Sequence, residues 1–154
     1  MTSLEQLFVG LACAQGIFIA IDELVFHRRR GLGTFERWGH IADSLLFAAP
    51  LGVTVFFLPQ GTPMLAFIAL AVLSSLLVTK DEWIHAAECR GGEHWCHSIL
   101  FTLHGTVLLT AAFLWQDDPY SWPLKVMPLL VLGWGGYQFL YWHVYIRWRE
   151  SKAQ

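Results

Sequence analysis

The sequence predicts an all-α integral membrane protein of five transmembrane helices, with a histidine and carboxylate metal site in the helical bundle at one membrane face. Three observations predict it. Of 154 residues, 55% are hydrophobic and only 14% are charged, against about 25% in soluble domains. Apolar runs of membrane length recur between short breaks marked by Gly and Pro. The ionisable residues gather at the ends of those runs, where groups that are costly to hold near a bilayer are functional candidates by default.

The runs cover residues 4–26, 38–58, 64–85, 94–115 and 124–146, each near the ~20 residues that cross about 30 Å of hydrocarbon. The first has no basic segment before it. Its apolar stretch leads into Asp22, Glu23 and His27 instead of a small-residue cleavage site, so it reads as a retained helix and not a signal peptide. RRRGLG closes it, PQGTP closes the second run, CRGG the third and DDPYSWP the fourth. No repeat or long linker divides the chain, and one helical-bundle domain over residues 1–154 is expected.

Lys and Arg set the expected orientation. Arg28, Arg29, Arg30 and Arg37 lie in the first loop, Lys80 and Arg90 flank the third, and Arg147, Arg149 and Lys152 lie in the tail. The second loop has none, and the fourth has Asp117 and Asp118 with Lys125 after them. The positive-inside rule then places the N-terminus outside and the C-terminus in the cytoplasm, in what is expected to be a bacterial inner (cytoplasmic) membrane. The lipid bilayer is the expected partner, and no basic stretch suits nucleic acid. Cys13, Cys89 and Cys96 are odd in number and lie in or beside apolar runs, so they read as small buried hydrophobes and not a disulfide framework.

On this topology all seven histidines fall at the cytoplasmic side, together with Asp22, Glu23, Asp43, Asp81, Glu82, Glu88 and Glu93. At about 100° per residue, Glu23 and His27 share a face of helix one while Asp22 points elsewhere. His40 and Asp43 share a face of helix two. On helix three, Glu82 and Glu88 flank His85, and on helix four Glu93, His97 and His104 fall in a narrow arc with His94 at its edge. His143, on helix five, reads equally as a hydrogen-bonded core residue and as a ligand or ligand partner. Gly16, Ala20, Gly105 and Gly136 on these faces are expected to let backbones approach. Asp22 reads as a partner for the arginine cluster or a helix-end group, and Glu36 and Glu150 as solvated residues in arginine-rich surroundings.

Mixed imidazole and carboxylate ligation suits Fe, Mn or Zn, and the excess of ligands implies two divalent ions, with iron favoured and zinc or manganese open. Glu82-x-x-His85 has the E-x-x-H form of di-iron carboxylate bundles, a resemblance of chemistry; those bundles carry the motif twice, and no second copy is present here. The candidate ligands are Glu23, His27, His40, Asp43, Glu82, His85, Glu88, Glu93, His94, His97, His104 and His143. The expected activity is a di-iron oxidoreductase that hydroxylates or desaturates a lipid-like hydrophobic substrate. With no flavin or nicotinamide motif, it would draw electrons from an external donor on the cytoplasmic side. The alternatives are a zinc-dependent membrane hydrolase, which lacks H-E-x-x-H, and a non-catalytic haem- or metal-binding membrane protein.

Overall fold

A computed structural model describes residues 1–80, 82–89 and 91–152, the side chains of Trp83 and Glu88 excepted. The described residues form helices and turns without strands. Helix α1 is Ser3–Arg30, with Asp22–His27 wound as a π-helix. Then come α2 (Thr34–Phe56), α3 (Gly61–Leu77), α4 (Glu82–Glu88), α5 (Gly91–Asp117) and α6 (Trp122–Phe139). A second π-helical turn, Leu140–Tyr145, carries α6 into α7 (Ile146–Lys152). Three of these helices, α1, α2 and α5, are long and apolar enough to cross a membrane, and α3 is a shorter apolar helix of 17 residues.

Local chemistry sets the ends. Thr2 and Glu5 form a capping box at the start of α1, with Thr2 Oγ1 accepting from the Glu5 N–H at 3.1 Å and Glu5 Oε2 accepting from the Thr2 N–H at 2.8 Å. Glu5 Oε1 also accepts from Ser121 Oγ at 2.6 Å, which ties this end of α1 to the start of α6. Gly31, at φ 81°, breaks the chain out of α1 in a conformation that a side chain would resist.

The expected third run of residues 64–85 is broken. The chain leaves α3 after Leu77 through turns closed by Thr79 N to Leu76 O and Lys80 N to Leu77 O. Val78 and Thr79 are β-branched, and the Thr79 hydroxyl donates to Leu76 O at 2.8 Å, both of which weaken a helix here. Lys80 then reaches across to Asp43 on α2 at 2.6 Å, with the end of its side chain lying directly over Gly39. Glu82 and His85 therefore sit on a separate short helix.

In packing, α2 lies along α6 and α3, and α1 along α5. A Cβ on Gly135 would meet Ser44 at 2.9 Å, so this glycine is what lets α6 approach α2. Gly16, Gly105 and Gly136, expected at close approaches, have open space instead. The apolar core gathers Phe8, Leu51, Phe67, Leu114, Trp115 and Leu124 toward the end of the molecule remote from the histidines. The outward faces carry Leu65, Leu76, Leu109, Phe113 and Leu129, an apolar girdle suited to lipid.

Candidate metal centre

The π-helical turn of α1 organises the site. With i→i+5 hydrogen bonds, roughly 4.4 residues make a turn and each residue advances about 82°. Both Asp22 and Glu23 then come within about 50° of His27, whereas on an α-helix Asp22 would lie about 140° away. That is why the structure corrects the reading of Asp22. It lies buried with Oδ2 3.2 Å from His27 Nε2 and Oδ1 3.0 Å from His97 Nε2.

Around this carboxylate the helices converge. Glu93 Oε1, from the first turn of α5, lies 3.8 Å from His27 Nε2. The His85 ring packs on His97 with centroids 4.1 Å apart, and His40 packs on His27 at 4.7 Å. Donor atoms of Asp22, His27, Glu93 and His97 all lie within 4.8 Å of one another, and so do those of His27, His85 and His97. All five residues are buried. Donors held about 2.1 Å from one ion would sit roughly 3.0–3.4 Å apart, so modest contraction would complete a site.

The contact between His97 Nε2 and Asp22 Oδ1 at 3.0 Å is a hydrogen bond, but hydrogen bonding leaves much of the remaining geometry unexplained. No hydrogen bond reaches either ring nitrogen of His27, His40 Nε2, His97 Nδ1 or Glu93 Oε1. Buried polar atoms normally have a partner. Here they face one another across 3–4 Å in poor hydrogen-bond alignment, which is the arrangement of donors around a shared cation.

The charges point the same way. Asp22, Glu23, Glu36 and Glu93 are four buried carboxylates. Among the described residues the guanidinium of Arg30 is the cation set on them, with Nη2 2.6 Å from Glu36 Oε1 and Nε 3.4 Å from Glu93 Oε1. Glu36, read from sequence as solvated, is thus buried, accepts from the Gly33 N–H at 2.9 Å and comes within 3.7 Å of His85 Nε2. Helix α2 starts at Thr34, which turns Glu36 inward against the end of α1.

The other sequence candidates are distributed around this centre. Glu23 lies 3.8 Å from His27 Nδ1, and its carboxylate accepts from Trp142 Nε1 at 2.8 Å and Gln138 Nε2 at 3.3 Å. Asp43 is engaged by Lys80. Glu82 is half-exposed, 3.8 Å from His85 Nδ1 and 3.9 Å from His94 Nδ1. His104 is held by Ser74 Oγ at 2.9 Å and packs on Phe47, apart from both donor groups. His143 lies between the rings of Trp38 and Phe139. The Glu88 side chain and Asp81 lie outside the described residues. Burial pushes the Cys89 thiol up to about 12, and Cys89 is in neither donor group. Cys96 is buried with its thiol toward Phe18 O at 3.6 Å.

A cavity of about 530 Å³ reaches this centre. Its walls include Asp22, His27, His85 and His97 at one end and run past Leu130 to Trp122. No family model, curated protein or solved structure matches the chain. The class the fold and site define is therefore an all-helical protein with membrane-length helices and a buried histidine and carboxylate group able to hold metal.

Proposed function

We propose that the chain is a metal-dependent membrane oxidoreductase, with two iron ions held by His27, His85 and His97 together with Asp22 and Glu93. The observation that carries this reading is the overlap of two donor groups sharing His27 and His97, set among four buried carboxylates and one guanidinium. Unpaired buried carboxylates cost several kcal/mol each, and divalent cations remove that cost. The chain would cross the inner membrane five times, with α3 at the short limit of about 17 residues and α6 continuing through its π turn. The arginine-rich end would face the cytoplasm.

Bound ferrous ions would supply activation of dioxygen, which is apolar and soluble in the bilayer. The chain's own residues do the rest. The imidazoles of His27, His85 and His97 would hold the ions, and Asp22, with one oxygen toward each of His27 and His97, would add a carboxylate to the same donor set. Trp142 and Gln138 orient Glu23 beside His27, 3.8 Å from its Nδ1. The apolar cavity excludes water and presents a hydrocarbon. Hydroxylation would consume one dioxygen, two electrons and two protons per C–H bond, giving an alcohol and one water. Desaturation would consume the same and give an alkene and two waters. The electrons would come from a one-electron carrier protein docking on the arginine-rich face.

Elemental analysis of the detergent-purified protein with its ultraviolet–visible spectrum tests this. About two irons per chain and no Soret band support the oxidoreductase. Zinc alone would favour a hydrolase using a metal-activated water. A Soret band would indicate haem, and the absence of any metal would leave a structural polar network.

A further inference from the structure

The cavity lies in a cleft with a side opening. Helices α1 and α6 touch sparingly, and the cavity occupies the gap between them. Cys13 and Gly16 on α1, and Trp122, Val126 and Leu130 on α6, line it and are also exposed. The cleft therefore opens sideways, at the depth of the apolar girdle. From Val9 to Asp22 it runs about 20 Å at the helical rise of ~1.5 Å per residue. Spread over that length, about 530 Å³ gives a mean cross-section of about 26 Å². Restoring the margin of a water radius, about 1.4 Å, at each wall makes the cleft about 8–9 Å across, against about 10–12 Å for a packed helix. The cleft is too narrow for a helix and wide enough for one hydrocarbon chain.

Its ends differ in polarity. Asp22, Glu23, Asp43, Ser44 and Gln138 line the end with the histidines, where a neutral hydroxyl head could hydrogen-bond, while Trp122, Pro123 and Val126 wall the other. We propose that the cleft seats the chain of a single-chain lipid taken sideways from the bilayer. The polar end lies at the arginine-rich end of the molecule and the tail points toward Trp122. A length of about 20 Å exceeds the ~15 Å of half the hydrocarbon thickness, so a full acyl chain fits. The carbons next to the polar end, and not the terminal methyl, then face His27 and His97. That last clause rests on the proposed metal centre; the seat itself does not.

The test uses the delipidated full-length protein in detergent. Saturated fatty alcohols from octanol to octadecanol, uncharged at the head as the carboxylate-lined end requires, are titrated by native mass spectrometry and by displacement of a fluorescent fatty alcohol, with metal content measured on the same samples. One chain should bind per protein, about fourfold tighter for each added methylene until the cleft is full. Gly16 lines the cleft and a Cβ there meets nothing within 4 Å. Gly16→Phe should therefore plug the cleft, weakening the long alcohols about tenfold or more with metal content unchanged. Gly10 also has open space but lies outside the cavity wall, and Gly10→Phe should bind as the wild type does. Affinity independent of chain length would overturn the seat, as would wild-type binding by Gly16→Phe. A stable dimer cross-linked through Cys13 would overturn it too, because a second copy would then cover the cleft. Length-dependent, plug-sensitive binding in a protein that holds no metal would overturn the metal centre and leave the seat. Metal without chain binding would do the reverse.

Discussion

Asp22→Asn separates a metal centre from a purely structural network more sharply than any other single change. The substitution is nearly isosteric and removes one charge from a side chain that touches both His97 at 3.0 Å and His27 at 3.2 Å. Loss of a residue that only supports a ligand lowers metal affinity by about 10–100-fold, and loss of a ligating carboxylate should cost at least as much. With metal at about a hundred times its wild-type dissociation constant, binding stabilises the wild type by ~2.7 kcal/mol. The same concentration stabilises the variant by only about 0.4–1.4 kcal/mol. The metal-free proteins carry the opposite sign. If the carboxylates are uncompensated without an ion, removing one should leave the metal-free protein as stable as the wild type or more so. A bare network would instead lose the partner of two imidazoles and become less stable. The assay is thermal unfolding in detergent, with and without Fe(II) added anaerobically, and with Co(II) as a spectroscopic substitute. Equal metal-induced shifts in the two proteins, with a destabilised metal-free Asp22→Asn, would refute the reasoning.

Trp142→Phe keeps the ring but removes the hydrogen bond to Glu23, and should weaken metal binding by about tenfold, read by competition with a chromophoric chelator. Metal should leave as pH falls from about 7 to 5, because ligating imidazoles must be unprotonated and an ordinary imidazole protonates near ~6.5. Metal-linked stability is thus present above that range and lost below it, as residual metal after dialysis at each pH would reveal. Gly135→Leu should destabilise the fold by about 1–3 kcal/mol or more through its clash with Ser44, while Gly136→Leu, facing open space, should change little in the same thermal melts.

The helices and the polar layer were legible because a bilayer makes both conspicuous: long apolar runs on one side, costly ionisable groups on the other. His27, His85, Glu93 and His97 stand out in the sequence for that reason, and the structure brings them together. Asp22 was hidden by the assumption of α-helical pitch, since five-residue spacing aligns two side chains only on a π turn. The π turn has no sequence signature that separates it from its α-helical flanks. Glu36 and Arg30 were hidden by a different rule: charged residues at an arginine-rich loop are normally solvated, and their inward turn depends on where α2 begins. The break after Leu77 was partly visible in Val78 and Thr79, but the tie from Lys80 to Asp43 joins residues far apart in sequence. His104 and His143 share the histidine layer without reaching either donor group, because Ser74 holds the one and the rings of Trp38 and Phe139 enclose the other.

Arg30 bears directly on whether the site needs a metal, because it is a cation that the sequence placed in the loop and the structure places on Glu36 and Glu93. One guanidinium among Asp22, Glu23, Glu36 and Glu93 still leaves three negative charges to match. Without a metal, those three charges would have to be met by protons, either on the carboxylates themselves, which gives up their ionic hydrogen bonding, or on three of the imidazoles His27, His40, His85 and His97. These four rings stack as two pairs, with centroids 4.7 Å and 4.1 Å apart. Three charges shared between two pairs make at least one stacked pair doubly charged. Like charges about 4 Å apart repel by ~4 kcal/mol at an effective dielectric constant of about 20. A network neutralised by its own histidines therefore exchanges one electrostatic cost for another. A divalent cation between His27 and His97 would match two of those three charges, and a second ion would cover the third, while every imidazole stays neutral and free to ligate.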